Sequence, residues 1–115
     1  MMLHYFLHMP QLPQEFRHQS NHVEVIRYCV AERQEVAPGT SLAVVENWWG
    51  VYEILAPAKA TLAKALFDWP AGATVQVGEP LALMLCDPDD APQPNTAAGV
   101  RVVQVKREKP SRHVG

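Results

Sequence analysis

The sequence predicts an all-β domain, and three observations carry that expectation. Short apolar runs alternate with turn residues from Tyr5 to about Met84. Ten prolines in 115 residues speak for many turns and against long helices. A turn-then-strand unit also occurs twice: Val36-Ala37-Pro38-Gly39-Thr40-Ser41-Leu42-Ala43 and Val75-Gln76-Val77-Gly78-Glu79-Pro80-Leu81-Ala82 share Val-x-x-Gly-x-x-Leu-Ala, 39 residues apart. The repeat predicts two copies of one unit, each glycine in a left-handed turn position, facing each other across one core.

The strands follow in order. Tyr5-Phe6-Leu7-His8-Met9 reads as the first, stopped by Pro10. Val23 to Val30 has strand composition and partial period-two alternation. Ser41 to Glu46 is the third, and Val51 to Leu55 answers it across a turn. Thr61 to Phe67, a short Thr74 to Val77 and Pro80 to Leu85 complete the set. Ala56 to Leu66 is the one candidate for a helix, with Pro57 at its start; short strands are the better reading. After Cys86 the chain turns rich in Pro, Asp and Ala, so residues 3–86 are expected as the domain and 87–115 as a linker and basic tail, with Val100 to Val105 available as an added edge strand.

Composition narrows the function classes. A net charge of −2 offers no basic surface for nucleic acid or an anionic membrane. Met1 to His8 is too short and interrupted for a signal peptide, and no apolar run reaches the length of a membrane span, so a soluble, cytoplasmic protein is expected. Cys29 and Cys86 lie in apolar runs without metal-type spacing. Buried free thiols in a reducing compartment are the expectation, and a disulfide between them stays open.

The stretch Val45-Glu46-Asn47-Trp48-Trp49-Gly50-Val51-Tyr52-Glu53-Ile54, with Leu55-Ala56-Pro57 after it, resembles the modification hairpin of a lipoyl or biotinyl carrier domain. There a Glu-Thr-Asp-Lys-Ala turn precedes a short strand ending in Glu, a β-branched residue and Ala-Pro. Laid without a gap, Glu46, Glu53, Ala56 and Pro57 match, and Trp49 falls on the modified lysine. Met9-Pro10-Gln11-Leu12 resembles the family's Met-Pro-x-Leu opening. Val30 to Gly39 resembles Val-x-x-Gly-Asp-x-Val-x-x-Gly, with Arg33 and Gln34 in place of Gly-Asp. Ala56 to Leu62 resembles Ala-Pro-x-Asp-Gly-x-Leu, with Ala60 in place of Gly. The turn from Asp68 to Val75 fits only with about two extra residues, and Gln14 to Asn21 is longer than the family loop. The likeness covers roughly residues 4–86. It implies a flattened β-sandwich, or barrel-sandwich hybrid, of two four-stranded sheets related by a pseudo-twofold axis. It also implies no lipoyl or biotinyl cofactor, because an indole N–H is no nucleophile toward an activated acid.

The candidate site is therefore the hairpin tip Asn47, Trp48, Trp49 and Gly50. Asn at the first and Gly at the last position suit a type I turn, which would project both indoles outward as an apolar patch. Such a patch would bind a protein partner, form a homodimer contact, or fold back on the domain itself. Of the lysines Lys59, Lys64, Lys106 and Lys109, none crowns the hairpin, and Lys59 falls at the opposite, pseudo-symmetric turn. His4 and His8 on one strand face stand about 13 Å apart, too far for one metal. His18 and His22 lie in a loop with little helical pattern. No catalytic constellation or phosphate loop is present in the sequence. The expected function is a non-enzymatic, protein-binding, regulatory or scaffolding module, with a multienzyme complex as the implied partner. The alternatives are a carrier modified at another lysine and an adaptor of the membrane-fusion type.

Overall fold

The computed structural model describes residues 2–13, 22–67, 73–92 and 97–106. The Gln14–Asn21 loop with His18, the turn residues 68–72, Lys109 and the basic tail beyond Lys106 lie outside them. The described residues form nine strands and no α-helix: β1 (Leu3–His8), β2 (His22–Tyr28), β3 (Glu35–Val36), β4 (Ser41–Glu46), β5 (Gly50–Leu55), β6 (Ala60–Ala65), β7 (Thr74–Gln76), β8 (Pro80–Cys86) and β9 (Gly99–Val105). The helical candidate Ala56 to Leu66 begins just past the end of β5 and is a bend followed by β6.

Two antiparallel sheets result, one ordered β1-β8-β6-β3 and the other β7-β2-β4-β5-β9. The sequence led to two sheets of four strands; the second has five, because β9 pairs along β5 from Leu55↔Gly99 to Gly50↔Val105. The rest of the linker region is not featureless either. Pro88–Asp90 forms a turn of 3-10 helix, and Ala98 is buried in the core.

Alternation builds the core. In β5 every second residue, Gly50, Tyr52 and Ile54, points inward and is buried. Leu7, Val25, Leu62, Val75, Leu81 and Met84 meet them from the other strands. Burying one such aliphatic side chain is worth about 1.5–3 kcal/mol, so this cluster supplies the main drive for the fold.

The internal repeat is visible in the pairing. Advancing each strand number by four turns the order β1-β8-β6-β3 into β5-β4-β2-β7, which is the second sheet without β9. Irregularities repeat as well. β2 skips Ile26 against β4, and β6 skips Ala63 against β8. Leu42 and Leu81, the leucines of the repeated motif, are each the extra residue of a bulge and each buried. Gly39 and Gly78 both have positive φ, 85° and 92°. Each donates its N–H to a residue just before a proline, Gly39 to Ala56 O and Gly78 to Met9 O. Arg33, in the loop where the resemblance has glycine, is the only described non-glycine residue at positive φ (75°).

One expectation about the thiols is corrected. Both cysteines are free, but only Cys86 is buried; Cys29 is exposed, its Sγ 3.5 Å from Ser41 Oγ. The bulge at Ile26 breaks the alternation of β2, so the inward face cannot be extrapolated from Val23 and Val25 to Cys29.

Candidate functional site

The β4–β5 hairpin turns through Asn47, Trp48 and Trp49. Asn47 fixes the turn twice. Its N–H donates to Gly50 O at 3.0 Å, and its Oδ1 accepts from the N–H groups of Trp49 (2.8 Å) and Gly50 (3.0 Å). An Asn side chain suits this role because it imitates a backbone carbonyl two residues ahead. With Oδ1 committed, the Nδ2 donor is buried and unpartnered.

The two indoles are not equivalent. Trp48 projects outward and is 61% exposed. Trp49 was expected to project with it; instead it is half-buried and packs against the core cluster. Trp49 O accepts from Lys106 N–H at 2.8 Å, which carries the β5–β9 ladder up to the turn and holds this residue against the sheet.

A clasp at the end of β9 completes the tip. Lys106 Nζ donates to Asn47 O at 3.1 Å and forms an ion pair with the Glu46 carboxylate. Gly50 is required here: a Cβ on it would lie 2.6 Å from Gln104 O, a backbone atom of β9, and 3.1 Å from Tyr52 Oη. Sequence reading found Gly50 as a turn residue but missed that β9 demands it. Lower on the same strands Arg101 pairs with Glu53 at 2.7 Å. The bond to Arg101, helped by Ser41, holds the Glu53 carboxyl below the usual carboxylate range.

Beside the tip lies an open groove of about 430 Å³ lined by His22, Val23 and Glu24 of β2, Glu46, Asn47 and Trp48 of the hairpin, Thr74 of β7, and Lys106. Glu24 and Glu46 are direct cross-strand partners. Gln76 Nε2 stands 2.8 Å from His22 Nε2.

Elsewhere the chemistry is sparse. Among the described residues no group of three His, Cys, Asp or Glu side chains is placed to hold a metal ion. His4 and His8 are exposed on β1. Tyr5 Oη is buried without a hydrogen-bond partner, and burial, with Cys86 beside it, pushes its pKa up to about 12. Burial likewise raises the Cys86 thiol, aided by Asp90 and Asp87. No described helix is long and apolar enough to cross a membrane.

The chain matches no family model, and no curated protein or solved structure is significantly similar to it. The reading of the site therefore rests on its own residues.

Proposed function

We propose that this chain is a lipoyl-like, barrel-sandwich module that carries no swinging cofactor and binds a protein partner through its hairpin tip. The observation that carries the reading is Trp48: a large indole, 61% exposed, standing on a turn held by hydrogen bonds that Asn47 accepts from Trp49, Gly50 and Lys106. Exposed tryptophan on a fixed backbone is the profile of an interface anchor, because little side-chain freedom is lost on binding. Two further features support the lipoyl-like part. Apart from β9, the strand order is invariant to an advance of four strands, and the repeated Gly39 and Gly78 turns are paired alike; in the resemblance Trp49 falls on the attachment lysine. Lys59 stands on the bend before β6, away from the tip, which counts against its serving as a substitute attachment point.

The reading separates the two tryptophans. Trp48→Ser should leave stability within about 0.5 kcal/mol of wild type. It should weaken capture of the partner about 30-fold, as loss of a hot-spot residue worth about 2 kcal/mol does. Trp49→Ser should cost about 1–3 kcal/mol of stability, since a half-buried aromatic is removed from the core margin. Chemical denaturation and pull-down from the native host measure both. Partner capture indifferent to Trp48 would overturn the binding role. An intact mass raised by a lipoyl or biotinyl group would overturn the non-carrier reading.

A further inference from the structure

The internal repeat gives the tip groove a built-in control. Matching the β2–β4 register to the β6–β8 register pairs Val25/Val45 with Leu62/Met84. Followed outward, this places Lys59, Ala60 and Thr61 where the groove has His22, Val23 and Glu24, and Leu85 and Cys86 where it has Glu46 and Asn47. Those counterparts line a crevice of about 20 Å³ at the other end of the sandwich, against about 430 Å³ for the groove. The fold therefore accepts a neutral pair, Thr61 and Leu85, and a nearly filled space at this strand position. While the crevice carries its own carboxylates, Glu35, Asp87 and Asp90, beside Lys59, the Glu24–Glu46 pair at this strand position, the opening and the exposed indole distinguish the hairpin end.

Their chemistry is that of a cation site. Glu46 is answered by Lys106, while among the described residues Glu24 forms no ion pair. Among the described lining residues, two carboxylates and one ammonium give a formal charge of 1 − 2 = −1, with histidine counted as neutral. An indole face attracts a cation through its quadrupole, and a guanidinium also stacks on it. At about 430 Å³ the groove falls in the range of about 300–1,000 Å³ that holds ligands, with room for one long side chain and the backbone that bears it.

We propose that the groove receives a lysine or arginine side chain of a partner polypeptide, its cation set by Glu24 and covered by Trp48. This rests on the reading of the tip as a protein-binding surface and names the chemistry of what it binds. Glu24 gives direction and charge selection, Trp48 gives contact area, and Lys106, tied to Glu46, keeps the second carboxylate from drawing the cation to the wrong wall.

The test uses the full chain, labelled with nitrogen-15 and titrated at low ionic strength with three capped tripeptides of glycine flanking arginine, lysine or citrulline. Citrulline keeps the shape of arginine and removes the charge. The expected result is saturable shifts at Glu24, Thr74, Lys106 and the Trp48 indole N–H, with citrulline about tenfold weaker than arginine. Glu24→Gln should lower arginine affinity to the citrulline level, and Trp48→Leu should lower affinity for both cationic peptides. Both substituted side chains are exposed, and matching amide spectra away from the groove confirm that the variants fold. Equal affinity for citrulline, shifts scattered over the surface, or no saturation would overturn the proposal. Tetramethylammonium binding as tightly as the arginine peptide would also overturn it, by assigning the groove to a free cation. Each of these failures leaves the tip reading intact if partner capture still depends on Trp48. If capture is indifferent to Trp48, that reading fails instead.

Discussion

The two ends of the sandwich occupy equivalent strand positions and present different surfaces. At the hairpin end β4 turns into β5, an indole stands out, and an acidic groove opens beside it. At the other end β8 runs out beside the start of β1, Cys86 fills the place of Asn47, and the equivalent space is nearly closed. The backbone plan is shared down to the bulges at Leu42 and Leu81. What differs is side-chain chemistry and the presence of β9, which braces β5, while β1 has no corresponding outer partner among the described residues. The two ends thus share a backbone plan and differ in the groove, the exposed indole and β9.

Removing β9 should abolish most of that difference, and is the largest effect expected. The sequence alone argues that a chain ending at Asp90 melts much like the whole; the structure argues otherwise. Six register pairs with β5, buried Ala98 and the Lys106 clasp all go. With each lost hydrogen bond worth about 0.5–1.5 kcal/mol, truncation should cost at least about 3 kcal/mol in urea unfolding and expose Trp49 to acrylamide quenching. A stable truncated chain with a shielded Trp49 would show that the tip holds itself.

Glycine-to-alanine changes sharpen the comparison at intermediate size. Gly39 and Gly78 have open space where a Cβ would go, so each should lose only the conformational term, about 1–2 kcal/mol, and the two losses should agree. Gly50→Ala meets backbone at 2.6 Å and should cost more, about 2–4 kcal/mol, by forcing β9 away from the tip. Unequal losses at Gly39 and Gly78 would break the equivalence of the two halves.

The smallest effect is acid loosening of β9. The folded carboxyl of Glu53 is held low by Arg101, so its contribution is present above the unfolded pKa and is lost as pH falls through the folded one. The pair is partly exposed, so the loss should be under about 1 kcal/mol. Faster amide exchange of β9 as pH falls through the range where Glu53 protonates, absent in Glu53→Gln, would mark it.

Much of the scaffold was legible in the sequence because it is local. Strand alternation, proline stops and the repeated glycine turns locate seven of the nine strands, and the eighth, β9, was marked as an added strand. The two-residue β3 is too short to leave a pattern. Arg33, which stands where the resemblance has glycine, takes the positive φ that glycine adopts more readily. What was not legible depends on registers and distant partners. The bulge at Ile26 decided the exposure of Cys29, the ladder to Lys106 decided the half-burial of Trp49, and the approach of Gln104 decided Gly50. The tip could be read as a motif, but its groove needs β2, β7 and Lys106, which only folding brings together.

The Lys106 clasp also sets an order of events during synthesis. Asn47 and Lys106 are 59 residues apart, and the hairpin leaves the ribosome long before β9 exists. Strands β1 to β8 can pair as they emerge, since domains fold in the direction of translation. The turn is then closed by a contact of long sequence separation, which forms slowly because loop entropy is lost before the contact is gained. A nascent or clipped chain would therefore display a loose tip, and only a chain made through Lys106 would display a fixed one. The tip doubles as a report that the molecule has been made that far.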